Sequence, residues 1–497
     1  MISFPFALAL LLPQDPGSEP PILRVGETLE GEITDGDSEF HTPTLDMSYT
    51  DAPVVGRSAL VEVDDPGTYT LELRSYFFDS YLVLRDESGA ILAEDDDGLI
   101  GTHSRIVVEL EPGIRPVDAC ALHGQRGAFE LQVLRGRPAE LSPLERAHAQ
   151  REELERALAL VEAARGPEHP DTATSLNELA LLLYSQGDYA AARPYYERAL
   201  AIREKVLGPE HPDTATSLNN LAALLYAQGD YAAARPYYER ALAIYEKTLG
   251  PEHPSTAASL NNLALLFNAQ GDYAAARPYF ERALAISETV LGPEHPYAAG
   301  SLNNLAGLLQ NQGDYAAARP YYERALAIYE KTLGPEHPDT ARSLNNLADL
   351  LQNQGDYVAA RSLFERALAI RDQVLGPEHP DTATSLNNLA GLLQNQGDYA
   401  AARPYYERAL AIYEKTLGPE HPSTAASLSN LASLLQNQGD YAAARPYYER
   451  ALAIWEQVLG PEHPDTARSL NNLAGLLQDQ GDYAAARPYY ERALAIR

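Results

Sequence analysis

Two patterns of apolar and polar positions divide the chain. Up to about residue 136 they alternate. Ala59-Leu60-Val61-Glu62-Val63, Tyr69-Thr70-Leu71-Glu72-Leu73, Tyr81-Leu82-Val83-Leu84, Ile106-Val107-Val108-Glu109-Leu110 and Phe129-Glu130-Leu131-Gln132-Val133 all run with a period near two. That spacing lets a strand turn one face to a core. Asp65-Pro66-Gly67, Asp86-Glu87-Ser88-Gly89, Asp96-Asp97-Gly98 and Pro112-Gly113 punctuate the runs as turns. Short strands at this interval predict an all-β sandwich or barrel over 21–136.

After residue 140 the period becomes helical, and the sequence repeats. Gly-Pro-Glu-His-Pro begins at Gly166 and returns every 42 residues as far as Gly460. Eight units therefore fill 166–497, the last cut short at Arg497. A fixed period of this length predicts a solenoid. In the second unit Leu218, Leu221, Ala222, Leu224 and Leu225 share one face of a first helix, helix A. Gly229-Asp230 breaks it. Tyr231, Ala234, Tyr238, Ala241, Leu242 and Ile244 then form the face of helix B. Pro212 suits a first helical position, Asp213 the helix dipole, Asp230 an N-cap, and Gly250 a left-handed C-cap. Pro236 falls inside helix B and predicts a kinked or loosened first turn. Neither helix can bury its face alone, so the units must stack. Residues 142–165 predict a capping helix, because Glu155-Arg156-Ala157-Leu158-Ala159-Leu160 matches Glu239-Arg240-Ala241-Leu242-Ala243-Ile244. No such helix closes the other end, which suggests a larger parent protein.

Leu218, Leu221, Ala222, Gly229, Ala234, Tyr238 and Ala241 follow the large–small–turn pattern of the tetratricopeptide repeat, and the units resemble that family. The 42-residue form, with Leu-Asn-Asn-Leu-Ala in helix A and Leu-Gly-Pro-Glu-His-Pro in the loop, is similar to the cargo-binding repeats of kinesin light chain. The resemblance implies antiparallel helix pairs in a right-handed superhelix, with a protein or peptide ligand held in a concave groove. In the first part, Phe78-Asp79-Ser80-Tyr81-Leu82, Asp86, Gly89, Leu92-Ala93-Glu94-Asp95-Asp96-Asp97, Leu110-Glu111-Pro112-Gly113 and Gly127-Ala128-Phe129-Glu130-Leu131 resemble the bacterial pre-peptidase C-terminal domain. That family is a small β-sandwich of secreted proteins. Its usual Gly-Thr-Tyr is here Gly113-Ile114-Arg115. The expected fold class is thus multidomain, a β-sandwich followed by an all-α solenoid.

Charge narrows the function. Lys and Arg number 38 against 70 Asp and Glu, a net charge of -32. Residues 1–140 alone hold 9 Arg, no Lys and 26 acidic residues. Such a surface opposes nucleic acid, whose phosphates need basic contacts, and an anionic membrane surface. No apolar run reaches the ~20 residues of a membrane span. Ile2–Leu12 has the length of a signal-peptide core, but no Lys or Arg precedes it. With the polar Gln14–Pro21 behind it, residues 1–20 predict an exported chain, extracytoplasmic in place, with a cytoplasmic location as the alternative.

Differences between the repeats point to a groove. In helix A the varying positions of the second repeat are Thr216, Ala223, Tyr226 and Ala227, which share a face. Two asparagine columns lie on or beside it. One is Asn177, Asn219, Asn261, Asn303, Asn345 and Asn387; the other is Asn220, Asn262, Asn304, Asn346 and Asn388. Either column suits inter-repeat hydrogen bonds as well as ligand contact. The face is partly apolar at its start, with Leu181, Tyr184, Tyr226 and Leu265 beside Asn268. Later it becomes an amide ladder of Gln310, Gln352, Gln394, Gln436 and Gln478. Amides both donate and accept, so they can pair an extended backbone without reading its sequence. Arg342 and Arg468 are its basic groups, with Asp349 and Asp479 expected to oppose them.

Other chemistry is weaker. Eight histidines, His169 to His463, recur once per repeat. Helices pack ~8–10 Å apart, too far for neighbouring imidazoles to share a zinc ion at ~2 Å; a loop role is expected. The Tyr237-Tyr238 pairs put one ring in the core rather than on a base-stacking surface. Cys120 and His123 lack an orienting third group. Asp95, Asp96 and Asp97 could donate oxygens to calcium, but without EF-hand spacing they read equally as an acidic turn. No cofactor site or catalytic set emerges. The expected function is a protein-binding scaffold. Its rivals are the sensor half of a larger signalling or protease protein and a structural envelope spacer.

Overall fold

The computed structural model describes residues 143–496 and, before them, the backbone of strands between Ile22 and Arg135. The chain divides into two compact units, Met1–Leu141 and Ser142–Arg497. The first holds β1 (Ile22–Leu23), β2 (Thr28–Ile33), β3 (Ser38–Phe40), β4 (Val54–Val63), β5 (Gly67–Ser75), β6 (Ser80–Arg85), β7 (Ile91–Asp95), β8 (His103–Leu110), β9 (Gly113–Ala121) and β10 (Gly127–Arg135). One sheet runs β1-β4-β9-β6-β7 with β3 also on β4, and the other runs β2-β10-β5-β8. All ladders are antiparallel except β1 on β4. The alternating runs of the sequence lie within β4, β5, β6, β8 and β10. Residues 113–116 open β9. The apolar segment 1–20, His123, Asp96 and Asp97 lie outside the described residues, as do the side chains of Cys120 and Asp95.

The second unit is an all-α solenoid of 17 helices among the described residues. Helix α1 (Pro143–Arg165) is followed by eight antiparallel pairs. Every helix A has 16 residues, as in α2 (Pro170–Ser185) and α4 (Pro212–Ala227). Helix B has 18, as in α3 (Tyr189–Val206) and α5 (Tyr231–Thr248), up to the final α17 (Tyr483–Ala495).

Two caps set this metre. Each helix A begins on proline, whose missing N–H costs nothing at the first position. The preceding histidine is its N-cap. His211 Nδ1 accepts the Asp213 amide at 3.1 Å, and all eight repeats do the same at 3.0–3.2 Å. The imidazole therefore presents a neutral Nδ1 to the helix. Each helix B begins on aspartate, Asp230 Oδ1 accepting from the Ala233 amide at 3.0 Å. Glycine makes both reversals with positive φ, 73–82° between A and B and 91–101° after B.

Pro236 does not break helix B, which runs unbroken from Tyr231 to Thr248. The proline is exposed, and Ala234 and Tyr238 on either side of it are buried. Packing of that face outweighs the lost backbone bond. Outside the core, an arginine of each helix B reaches back to an acidic residue two helices earlier, as in Arg240–Glu204 and Arg282–Glu246. These pairs are half exposed, and exposed pairs of this kind contribute ~0–1 kcal/mol each.

Curvature brings distant repeats together. The A–B turn of the first repeat meets the N-cap of the seventh, and that of the second meets the eighth. His421 Nε2 lies 3.3 Å from Ser185 O. The His463 ring likewise lies against the turn of the second repeat, at Gly229. A Cβ on Gly187 would sit 2.6 Å from Pro422 Cδ, and one on Gly229 2.6 Å from His463 Cδ2. The same glycine of every later repeat has nothing within 4 Å. Helix α1 joins this seam by packing on α13 (Tyr399–Thr416). A cavity of about 610 Å³ remains between α1, residues 185–190 and residues 416–421.

Candidate functional site

The exposed stripe of each helix A is set by the turns of the α-helix. Thr216, Asn220, Ala223 and Ala227 point the same way, because steps of four, three and four residues return to one face. Leu218, Leu221, Ala222 and Leu225 point the opposite way and are 0–2% exposed.

The two asparagine columns part here. The first faces the next repeat. Asn177 Nδ2 donates to Ser217 Oγ at 3.4 Å, Asn261 to Ser301 at 3.4 Å and Asn345 to Ser385 at 3.2 Å. Ser259 and Ser427 donate back to Asn219 and Asn387. Asn177, Asn303 and Asn345 are buried. Asn177, Asn219, Asn261, Asn345 and Asn387 of this column thus bond the next repeat, one of the two roles that the sequence left open. The second column makes no hydrogen bond within the chain at Asn220, Asn262, Asn304, Asn346 or Asn388. These half-buried amides sit at the centre of the exposed stripe.

The glutamine ladder is largely tied to itself. Gln310 Nε2 donates to Asp349 Oδ2 at 2.6 Å, Gln394 to Ser433 at 3.2 Å and Gln436 to Asp479 at 2.7 Å. Asn311 donates to Asn268 Oδ1 at 3.2 Å. Tyr448 and Tyr490 reach Gln436 and Gln478 from behind, at 3.0 and 3.1 Å. Gln352 is half-buried in the same row, with its Oε1 enclosed and without a partner in the chain. Asp349 and Asp479 thus serve the ladder instead of opposing the arginines. Arg342 and Arg468 each pair within their own first turn, with Asp339 and Asp465, both at 2.9 Å.

The first three repeats differ. Leu181 is 59% and Leu265 36% exposed on the stripe. Tyr184 and Tyr226 flank them half-buried, each tilted against the first tyrosine of its own helix B at 5.4 Å. Burial pushes both phenols upward. Their hydroxyls make no hydrogen bond within the chain. This end of the face combines exposed apolar carbon, two aromatic edges and the free amides of Asn220 and Asn262.

Among the described residues no group of three or more His, Cys, Asp or Glu side chains is placed to hold a metal ion. No described helix is long and apolar enough to cross a membrane. The N-cap role of the histidines was missed by sequence reasoning, although the His-Pro-Asp string before an apolar run was its signal. The seam had no signal, since His421 and His463 sit in the same pentapeptide as the other six.

The tetratricopeptide repeat family matches over 144–205, 172–247, 213–289, 297–373, 342–415, 381–436 and 423–497, well over half of the chain. This chain belongs to the tetratricopeptide repeat family. The matched family is a helical repeat and not a catalytic fold. Among solved structures, the array is similar to a Podosopora anserina protein described as a kinesin light chain with nearly identical TPR-like repeats. Identity is 34% over 41% of this chain and 98% of the other, at a TM-score of 0.35. BtubC (BKLC) from P. vanneervenii is 27% identical over 46% of this chain and 90% of its own, at a TM-score of 0.38. Yeast Tom70 is 16% identical over 68% and 61%, at 0.46. No curated protein matches. The tetratricopeptide array is consistent with a scaffold for protein–protein interaction.

Proposed function

We propose that the array binds an extended segment of a partner protein on the helix A face, gripping it at the first three repeats. The exposure of Leu181 and Leu265 in the first three repeats, which also carry the half-buried Tyr184 and Tyr226, supports this reading. At the Leu181 position the later repeats have Gly307, Asp349, Gly391, Ser433 and Gly475. Burying an exposed leucine gives roughly 1.5–3 kcal/mol, so two of them with two tyrosines make a credible anchor. Asn220 and Asn262 then pair the backbone of the segment, while the self-tied glutamines beyond contribute shape more than bonds. A ligand of this kind has one or two bulky apolar side chains and an otherwise undemanding sequence. We further propose that the first unit is a β-sandwich of the pre-peptidase C-terminal type and that the chain works outside the cytoplasm.

Panning a displayed library of random peptides tests the groove reading. The full chain is compared with a Leu181→Ser, Tyr226→Ala, Leu265→Ser variant whose helicity is checked by circular dichroism. Peptides with spaced apolar residues should enrich on the wild type alone. Equal enrichment on both proteins would place binding elsewhere.

A further inference from the structure

We propose that the chain stacks on further copies of itself, the His-Pro margin of one copy docking on the A–B turn margin of the next. The seam shows that the two margins fit, because within one chain repeats 7 and 8 already dock on repeats 1 and 2. The fit uses parts that every repeat possesses. A histidine Nε2 bonds a backbone carbonyl, and a proline or imidazole ring lies against a glycine with no room for a side chain. The sequence is the same elsewhere, but there the parts stand open: the glycines of repeats 3–8 meet nothing within 4 Å. The superhelix thus ends in one margin of free turns and one of free N-caps, and a second copy brings the complement of each.

Two outlying side chains support this. Val358 is 83% exposed, the most exposed large apolar residue among those described. Its position corresponds to Ala190, which lines the seam cavity. Tyr297 is 70% exposed and stacked on His295 at 5.4 Å. Its position corresponds to Ser423 and Asp465, the residues that follow the two docked His-Pro pairs. Each margin therefore shows an exposed apolar side chain at a position that in repeats 1, 7 and 8 lies at or beside the seam. Both margins also carry carboxylates, such as Glu252 and Asp356, so like charges oppose stacking at low ionic strength. About 0.5 M salt shortens the screening length to about 4 Å and removes most of that opposition.

Sedimentation equilibrium of the full chain in that salt tests the proposal. The wild-type weight-average mass should climb from 54.2 kDa to at least twice that as concentration rises. A Tyr297→Asp, Ala316→Glu, Val358→Glu, Ala400→Glu variant should stay at one protomer. Aspartate occupies the Tyr297 position in other repeats, and glutamate suits the first turn of helix B, so its helicity and melting temperature should match the wild type. A wild-type mass that stays at one protomer throughout overturns the proposal. So does association that the folded variant keeps undiminished.

Discussion

His421 and Ser185 are 236 residues apart in the chain and 3.3 Å apart in space. The same imidazole caps its own helix, Nδ1 accepting the Ser423 amide at 3.0 Å. One ring thus serves a local and a global contact, and both are satisfied by the neutral form with its proton on Nε2. His463 repeats the cap with the Asp465 amide and lies against the Gly229 turn, with the Asp465 carboxylate 3.8 Å from its Nδ1.

Acid should part the seam. Burial holds both imidazoles below the usual histidine range, although Asp465 works against this at His463. The parted form then binds protons that the docked form refuses, so docking is complete above about pH 6.5 and weakens as pH falls below it. Dyes on Gln186→Cys and Glu420→Cys, in a Cys120→Ser background, should lose energy transfer between neutral and mildly acidic pH. Adding His421→Asn and His463→Asn, which keep an acceptor at each cap, should flatten the profile.

Gly187 and Gly313 should answer differently to alanine. Both have positive φ, 76° and 79°, which costs an L-residue about 1–2 kcal/mol. Only Gly187 also faces Pro422. Gly313→Ala should lower stability by about that amount and leave the seam dyes close. Gly187→Ala should separate them as well.

The two asparagine columns should separate stability from binding. Asn345 donates to the buried Ser385 hydroxyl. Ser385→Ala strands that amide and should cost about 1–3 kcal/mol in urea unfolding. Asn346→Ala should change stability by less than about 0.5 kcal/mol. Asn220→Ala and Asn262→Ala together should weaken the affinity for peptides selected by the wild type several-fold.

Arg371 is 5% exposed, its charge opposed by burial, and it has no carboxylate within 4 Å. Its Nη1 bonds only Asp381 O and Ser385 Oγ, at 2.9 and 3.1 Å. Corresponding positions hold Tyr245, Tyr329 and Tyr413. Arg371→Tyr should raise stability by about 1 kcal/mol or more, because a buried charge is replaced by a packed ring. A lowered urea midpoint would contradict this.

Much of the array was legible in the residues alone. The 42-residue period, both helices of each unit, the aspartate caps and the glycine reversals are local chemistry, repeated eight times. So was the face that groups Thr216, Ala223, Tyr226 and Ala227, because helical geometry alone sets it. The roles of Asn219 and Asn220 were not separable there. They are adjacent in sequence, and only the neighbouring repeat decides which meets a serine. The pairing of Asp349 with Gln310 instead of Arg342 was hidden for the same reason. The seam is the extreme case. Eight identical pentapeptides carry no information about which two are docked. That depends on the small rotation between successive repeats, which accumulates until the seventh meets the first. Sequence alone determined the unit and its exposed face, because these follow from contacts a few residues apart. Tertiary structure decided which copies of that unit touch, because that follows from the sum of all the packing angles between them.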